Sequence, residues 1–131
     1  MKKDIEIPIV KDVHVAIVEE WDKEFLSKDW NAYLINNRKS AIEMAFVLSR
    51  GFDEERKTST MRYALGTVSA KTFEKIEMVQ DEILKLNNEF LVTYFADNKL
   101  YEKRFFFEKG IVTEKNLISI SLIGLKGVFA V

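Results

Sequence analysis

The sequence predicts an all-β fold, an antiparallel sandwich of about seven strands with one short helix, on three observations. Residues 30–35 and 41–49 are short alternating segments flanking the polar turn Asn36-Asn37-Arg38-Lys39-Ser40. Residues 88–96 and 100–108 flank Asp97-Asn98-Lys99 in the same way. Each pair predicts a β-hairpin, because alternation at period 2 places one set of side chains on each face of a strand. Finally, 47% of the 131 residues are hydrophobic and ten are Phe. A single domain of that length buries about two-thirds of the surface its unfolded chain exposes, enough to hold a core without staples.

Residues 1–11 read as an N-terminal lead-in and residues 12–131 as one sandwich domain. Pro8 has no amide proton to give to a ladder. Val13, Val15 and Ile17 alternate with His14, Ala16 and Val18, predicting a first strand over 12–20. The charged stretch Trp21 to Asp29 reads as a connection that tucks Phe25 and Leu26 under the sheet. In the first hairpin Ile42, Met44, Phe46 and Leu48 share one face, with Ala41, Glu43, Ala45 and Val47 on the other. Arg50 to Ser59 is the longest loop, and Met61, Tyr63, Leu65 and Thr67 mark a half-buried strand after it.

The stretch 71–91 carries two patterns. Phe73, Ile76, Val79, Ile83, Leu86 and Phe90 recur at steps of 3, 3, 4, 3 and 4, which is a helical stripe. The same residues also tolerate a strand. A strand over 72–79 followed by a short helix over 80–86 is the preferred reading, with Asp81 and Glu82 at the helix's positive end. The competitor is an α+β fold with one longer helix over 71–87. After the second hairpin, Thr113 to Asn116 reads as a turn or a single helical turn, and Ile118, Ile120 and Leu122 mark the last strand.

Little in this framework supports chemistry. The chain has one His, no Cys and one Pro, and its 20 basic and 21 acidic residues leave a net charge of −1. That balance removes the global pull toward nucleic acid or an anionic membrane. The absence of Cys removes disulfides and thiolate metal sites. His14 has no second His with which to share a metal, and the acids Glu19, Glu20, Asp22, Asp53, Glu54, Glu55, Asp81 and Glu82 fall in loops or at element ends. The five glycines are scattered, and Gly124-Leu125-Lys126-Gly127 lacks the spacing of a phosphate cradle. The chain is therefore expected to have no catalytic residue, cofactor or metal. The acidic start without an apolar core is not a secretory signal, so a cytoplasmic protein with no membrane segment is expected.

Two surfaces remain. Arg38 and Lys39 in one turn, with Arg50, Arg56, Lys57 and Arg62 around the 50–60 loop, form a rim for phosphate or single-stranded nucleic acid if both loops meet at one end. Trp30 and Phe52 would be its stacking surfaces, while Asp53, Glu54 and Glu55 cancel half of the loop's charge. The second surface is aromatic. Phe105-Phe106-Phe107 must present rings to both faces of a strand, so Phe106, with Leu100 and Tyr101, is the candidate protein interface. A partner protein or a second copy of the chain would cover it. A small apolar ligand held in a cavity lined by Met44, Phe46 and Phe105 is a further alternative.

The run Trp30-Asn31-Ala32-Tyr33-Leu34-Ile35-Asn36-Asn37, followed by a strand ending near Ser49, by Gly66-Thr67-Val68 and by Phe90-Leu91-Val92-Thr93-Tyr94-Phe95, resembles a known module. It is similar to the immunoglobulin-like β-sandwich that accompanies the Smr (small MutS-related) domain in some bacterial proteins. The similarity covers roughly residues 12–110 and rests on core positions, with no Smr domain in this sequence. It therefore carries over no catalytic residue. What it implies is an immunoglobulin-like sandwich that binds protein, as a non-enzymatic accessory module.

Overall fold

Alternating β-branched residues build the first strand as the sequence predicts. In the computed structural model, which describes residues 8–131, β1 runs Val13–Asp22 with Val13, Val15 and Ile17 buried. Residues 1–7 of the expected lead-in lie outside the described residues. The remaining strands are β2 (Ser27–Asn36), β3 (Ile42–Phe52), β4 (Met61–Val68), β5 (Thr72–Val79), β6 (Asn87–Ala96), β7 (Lys99–Phe107), β8 (Ile118–Ile120) and β9 (Leu125–Phe129). Helix α1 (Asp81–Leu84) follows β5, and Glu114–Asn116 forms a 3-10 turn. The chain is an all-β sandwich of two antiparallel sheets, ordered β5-β2-β1-β9-β8 and β4-β3-β6-β7. The strand-then-short-helix reading of 72–86 holds, and the single long helix does not form.

Between the sheets, Val13, Val15, Ile17, Ala32 and Leu34 meet Ala45, Val47, Phe90, Val92, Tyr94, Phe105 and Phe107. Fully burying one such aliphatic or Phe side chain is worth about 1.5–3 kcal/mol, so this layer holds the fold together. A second, smaller core covers the outer face of the five-stranded sheet. There Ala16, Val18, Tyr33, Ile35 and Ile120 pack under Leu122 and Ile123 from the turn between β8 and β9. Gly127 permits that arrangement, since a Cβ there would lie 2.8 Å from the Ile17 carbonyl oxygen.

Four expectations are corrected. The segments 30–35 and 41–49 are not a hairpin, because β2 pairs with β1 and β5 while β3 pairs with β4 and β6. The intervening turn crosses from one sheet to the other, pinned by buried Asn36. Its Nδ2 donates to the carbonyls of Ser40 (3.0 Å), Val68 (3.0 Å) and Ser69 (3.1 Å), and its Oδ1 accepts from the Arg38 amide (3.0 Å). Secondly, Phe25 and Leu26 are not tucked under a sheet. They stand exposed at the tip of the β1–β2 hairpin, where the Asp22 carboxylate accepts from the Glu24 and Phe25 amides and closes the turn.

The third correction concerns β3. Ile42 and Ala45 are both buried, with exposed Glu43 and Met44 between them and a register irregularity at this point. Met44 takes φ 51°. This bulge inverts the alternation, so Ala45, Val47 and Ser49 face inward and Phe46 and Leu48 outward. Fourthly, β8 and β9 form a hairpin where one last strand was expected, which brings the described residues to nine strands.

Candidate functional site

Because β3 is inverted, the four-stranded sheet carries apolar side chains on its outer face. Cross-strand register sets them in rows: Arg62, Leu48, Leu91 and Arg104 form one, and Ala64, Phe46, Thr93 and Glu102 the next. Phe95 and Leu100 lie opposite each other in the row beyond. Phe95 is 41% exposed, Leu100 51% and Met44 70%. Unlike the outer face of the other sheet, no turn of the described chain folds over this surface.

At one end of the face an ion cluster sits on aromatic rings. The Glu89 carboxylate accepts from Arg50 (Nη2, 3.0 Å) and pairs with Arg104 (Nε, 2.9 Å). Arg50 lies 5.0 Å from the centre of the Phe52 ring, and Arg104 lies 4.7 Å from that of Phe106. Burial pushes the Glu89 carboxyl up, but the hydrogen bonds and charges of Arg104 and Arg50 outweigh it and leave it below the usual carboxylate range. Arg62 stands in the adjoining row, Glu102 in the row after it, and Glu43 beside Phe95 in the last. The face is thus basic toward one end and acidic toward the other, with apolar side chains in the rows between and beside the acids.

The six cations of the expected rim do not converge. Arg38 and Lys39 precede β3, and Arg56 and Lys57 follow it. At about 3.3 Å per residue, β3 holds those pairs about 30 Å apart. Arg50 and Arg62 lie on the outer sheet face between them. Several are already paired: Arg38 with Asp97 (2.6 Å), Arg50 with Glu89, and Arg56 with Asp53 (3.0 Å). Trp30 packs against the core from β2 and is not beside Phe52. Two acids of the 53–55 loop have structural partners: Asp53 accepts from the Glu55 and Arg56 amides, which lower its carboxyl, and Glu54 pairs with Lys109 (3.3 Å).

Phe106 and Leu100 do share the outer face, but Tyr101 does not. It points to the inner side and stacks on buried Tyr94, ring centres 5.0 Å apart and planes at 8°. Both tyrosines line a cavity at the Arg38 end of the sandwich. The expected apolar carrier site also fails to form, because Phe105 is in the core while Met44 and Phe46 stand outside.

Sequence reasoning missed two polar clusters. Glu77 of β5 accepts from Ser49 of β3 (3.0 Å) and from the Tyr63 hydroxyl of β4, tying the two sheets at their open edge. Burial first, then the Glu77 contact, pushes the Tyr63 phenol up to about 12, so it serves as a donor. Glu20 likewise accepts from Asn31 (2.8 Å) and Tyr33 (2.7 Å). Both carboxylates collect hydroxyl or amide donors, Glu77 across the two sheets and Glu20 from the adjacent strand of its own sheet. Parity along each strand was the available signal for these clusters, but cross-strand register was not legible. Among the described residues no three His, Asp or Glu side chains gather as metal ligands, and no helix is long and apolar enough to cross a membrane. Comparison with known protein families, curated proteins and solved structures finds no match.

Proposed function

We propose that the chain is a non-enzymatic interaction module that associates with a second copy of itself through the outer face of the four-stranded sheet. The observation that carries this reading is the run of apolar side chains on that face, exposed Phe95 and Leu100 with half-buried Phe46 and Leu48, on a surface whose two ends differ in charge. A surface basic at one end and acidic at the other is complementary to itself after a half-turn. A two-fold axis lying across the strands brings Arg104 of one copy over Glu102 of the second, and Arg50 over Glu43. The resemblance to an immunoglobulin-like binding module points the same way.

The size of the face sets the expected strength. Four strands about 4.8 Å apart and about 30 Å long cover about 570 Å² per copy, or about 1,100 Å² in total. That is near the lower limit of about 1,000 Å² for a specific interface, so the dimer should be weak and reversible. Sedimentation velocity across the micromolar range should show a concentration-dependent monomer–dimer equilibrium. Leu100→Lys, on an exposed strand position, should leave the circular-dichroism spectrum unchanged and abolish the dimer. Glu102→Lys should weaken it. A monomer at every concentration, or a dimer that survives both substitutions, refutes the proposal.

A further inference from the structure

At the opposite end of β3 from the Arg50 cluster lies a cavity of about 460 Å³ that the self-association does not use. It is lined by Lys11, Arg38, Lys39 and Lys71, with Asp12 as the acid among them. Its walls are fixed by the crossover turn. The Asn37 amide donates to the Asp12 carbonyl (2.7 Å), and Lys71 Nζ donates to the Asn37 carbonyl (2.8 Å) and Oδ1 (3.0 Å). Arg38 is held by Asp97 and by the Ala41 carbonyl (3.3 Å). Two carboxylates, Asp12 and Asp97, therefore face four cations, leaving two positive charges without a counterpart in the cluster.

Tyr94 supplies a second, independent observation. It is 2% exposed, it lines this cavity, and its hydroxyl has no hydrogen-bond partner among the described residues. That hydroxyl is not sealed off: among the described residues only Asn31 Oδ1 is buried without a partner, so the phenol lines the cavity as a donor open to whatever occupies it. Burial, with an added push from Tyr101 and an opposing pull from Arg38, raises it to about 12, so at neutral pH it is a hydrogen-bond donor. A donor at the wall of a cavity with two uncompensated cations suits an anionic acceptor.

We infer that this cavity binds a small soluble phosphate monoester, whose oxygens accept from the Tyr94 hydroxyl and from the lysines around it. A phosphate monoester carries about −1.5 to −2 charge at neutral pH, which matches the two uncompensated cations. The cavity volume lies within the range of about 300–1,000 Å³ typical of small-molecule sites, and it exceeds what a bare phosphate needs. An organic group on the phosphate should therefore strengthen binding.

Isothermal titration of the full chain with phenyl phosphate and with inorganic phosphate tests this. Both should bind saturably, phenyl phosphate more tightly, and both more weakly as salt is added. Lys39→Gln, at an exposed position, and Tyr94→Phe, which keeps the ring, should each weaken phenyl phosphate binding by about tenfold. Neither should lower the thermal unfolding midpoint of the free protein by more than a few degrees. Leu100→Lys should leave phosphate binding unchanged, which separates this site from the sheet-face interface. Absence of saturable binding, or binding that neither Lys39→Gln nor Tyr94→Phe alters, overturns the inference.

Discussion

Replacing Asn36 tests whether one buried amide holds the two sheets in their crossover. Its Nδ2 group has two hydrogens and three carbonyl acceptors within 3.1 Å, so it makes two full bonds with one shared, and its Oδ1 accepts a third from the Arg38 amide. At about 1 kcal/mol net per bond, Asn36→Ala loses about 3 kcal/mol, and somewhat more because the Val68 carbonyl is then left buried without a donor. Against a total stability of about 5–15 kcal/mol, that is a large fraction. Asn36→Asp is the sharper variant. It keeps the shape and the Oδ1 acceptor but replaces both donor hydrogens with a charge aimed at three carbonyls, so it should destabilise at least as much as Ala. With a urea m-value of about 1.5 kcal/mol/M, the expected shift in midpoint is about 2 M at unchanged slope. Asn37→Ala, at the exposed neighbour, should stay within about 0.5 kcal/mol of the parent. A loss below about 1 kcal/mol in both Asn36 variants would refute the account of the crossover.

Two other predictions concern single side chains. Glu89 binds its proton less readily folded than unfolded, so its stabilising effect is full above the unfolded value and lost as pH falls through the lower folded value. Glu89→Gln should cost about 1 kcal/mol at pH 7, discounted for the half-exposed arginines, and the difference from the parent should vanish in urea titrations at a pH below the lowered folded value. Gly127→Ala would place a Cβ 2.8 Å from the Ile17 carbonyl oxygen and 2.8 Å from Val18 Cγ1. The backbone atom cannot give way as a flexible side chain can, so a loss of about 1–3 kcal/mol is expected by urea unfolding, and a neutral result would place β9 differently.

The parts of the fold legible in the sequence are those set by local alternation. The β6–β7 hairpin and the strand-then-helix reading of 72–86 stand as expected, because period-2 patterning and the two-residue Asp97-Asn98 turn are local signals. Pairing between β2 and β3 failed for a physical reason. A polar turn of five residues looks the same whether it joins neighbours in one sheet or crosses to another, and what decides is the buried side chain of Asn36. Hydrogen bonds to Val68 and Ser69, more than thirty positions away, leave no local trace. The β8–β9 hairpin was hidden because Leu125-Lys126-Gly127 reads as a failed phosphate loop, while Gly127 is needed only for close approach to β1. On the candidate face, Phe106 and Leu100 were legible from the Phe triplet. Tyr101 was placed with them against its own parity: it stands four positions before buried Phe105, so it shares the inward face.

The outer face follows from a question of volume in the core. Stacked sheets lie about 10 Å apart, and a layer that thin cannot take large side chains from every strand. Here β6 and β7 already supply Phe90, Tyr94, Phe105 and Phe107 to the interior. The strand beside them must then contribute small residues, and β3 does so with Ala45, Val47 and Ser49, Ser49 lying directly opposite Phe90. Without the extra residue at Glu43–Met44, buried Ile42 would carry Phe46 and Leu48 inward with it, overfilling the layer and moving Ser49 away from Glu77. Turning them outward relieves the core at the expense of the surface. The apolar face is thus where the volume excluded from the sandwich went, and covering it by another copy recovers the burial that β3 gives up.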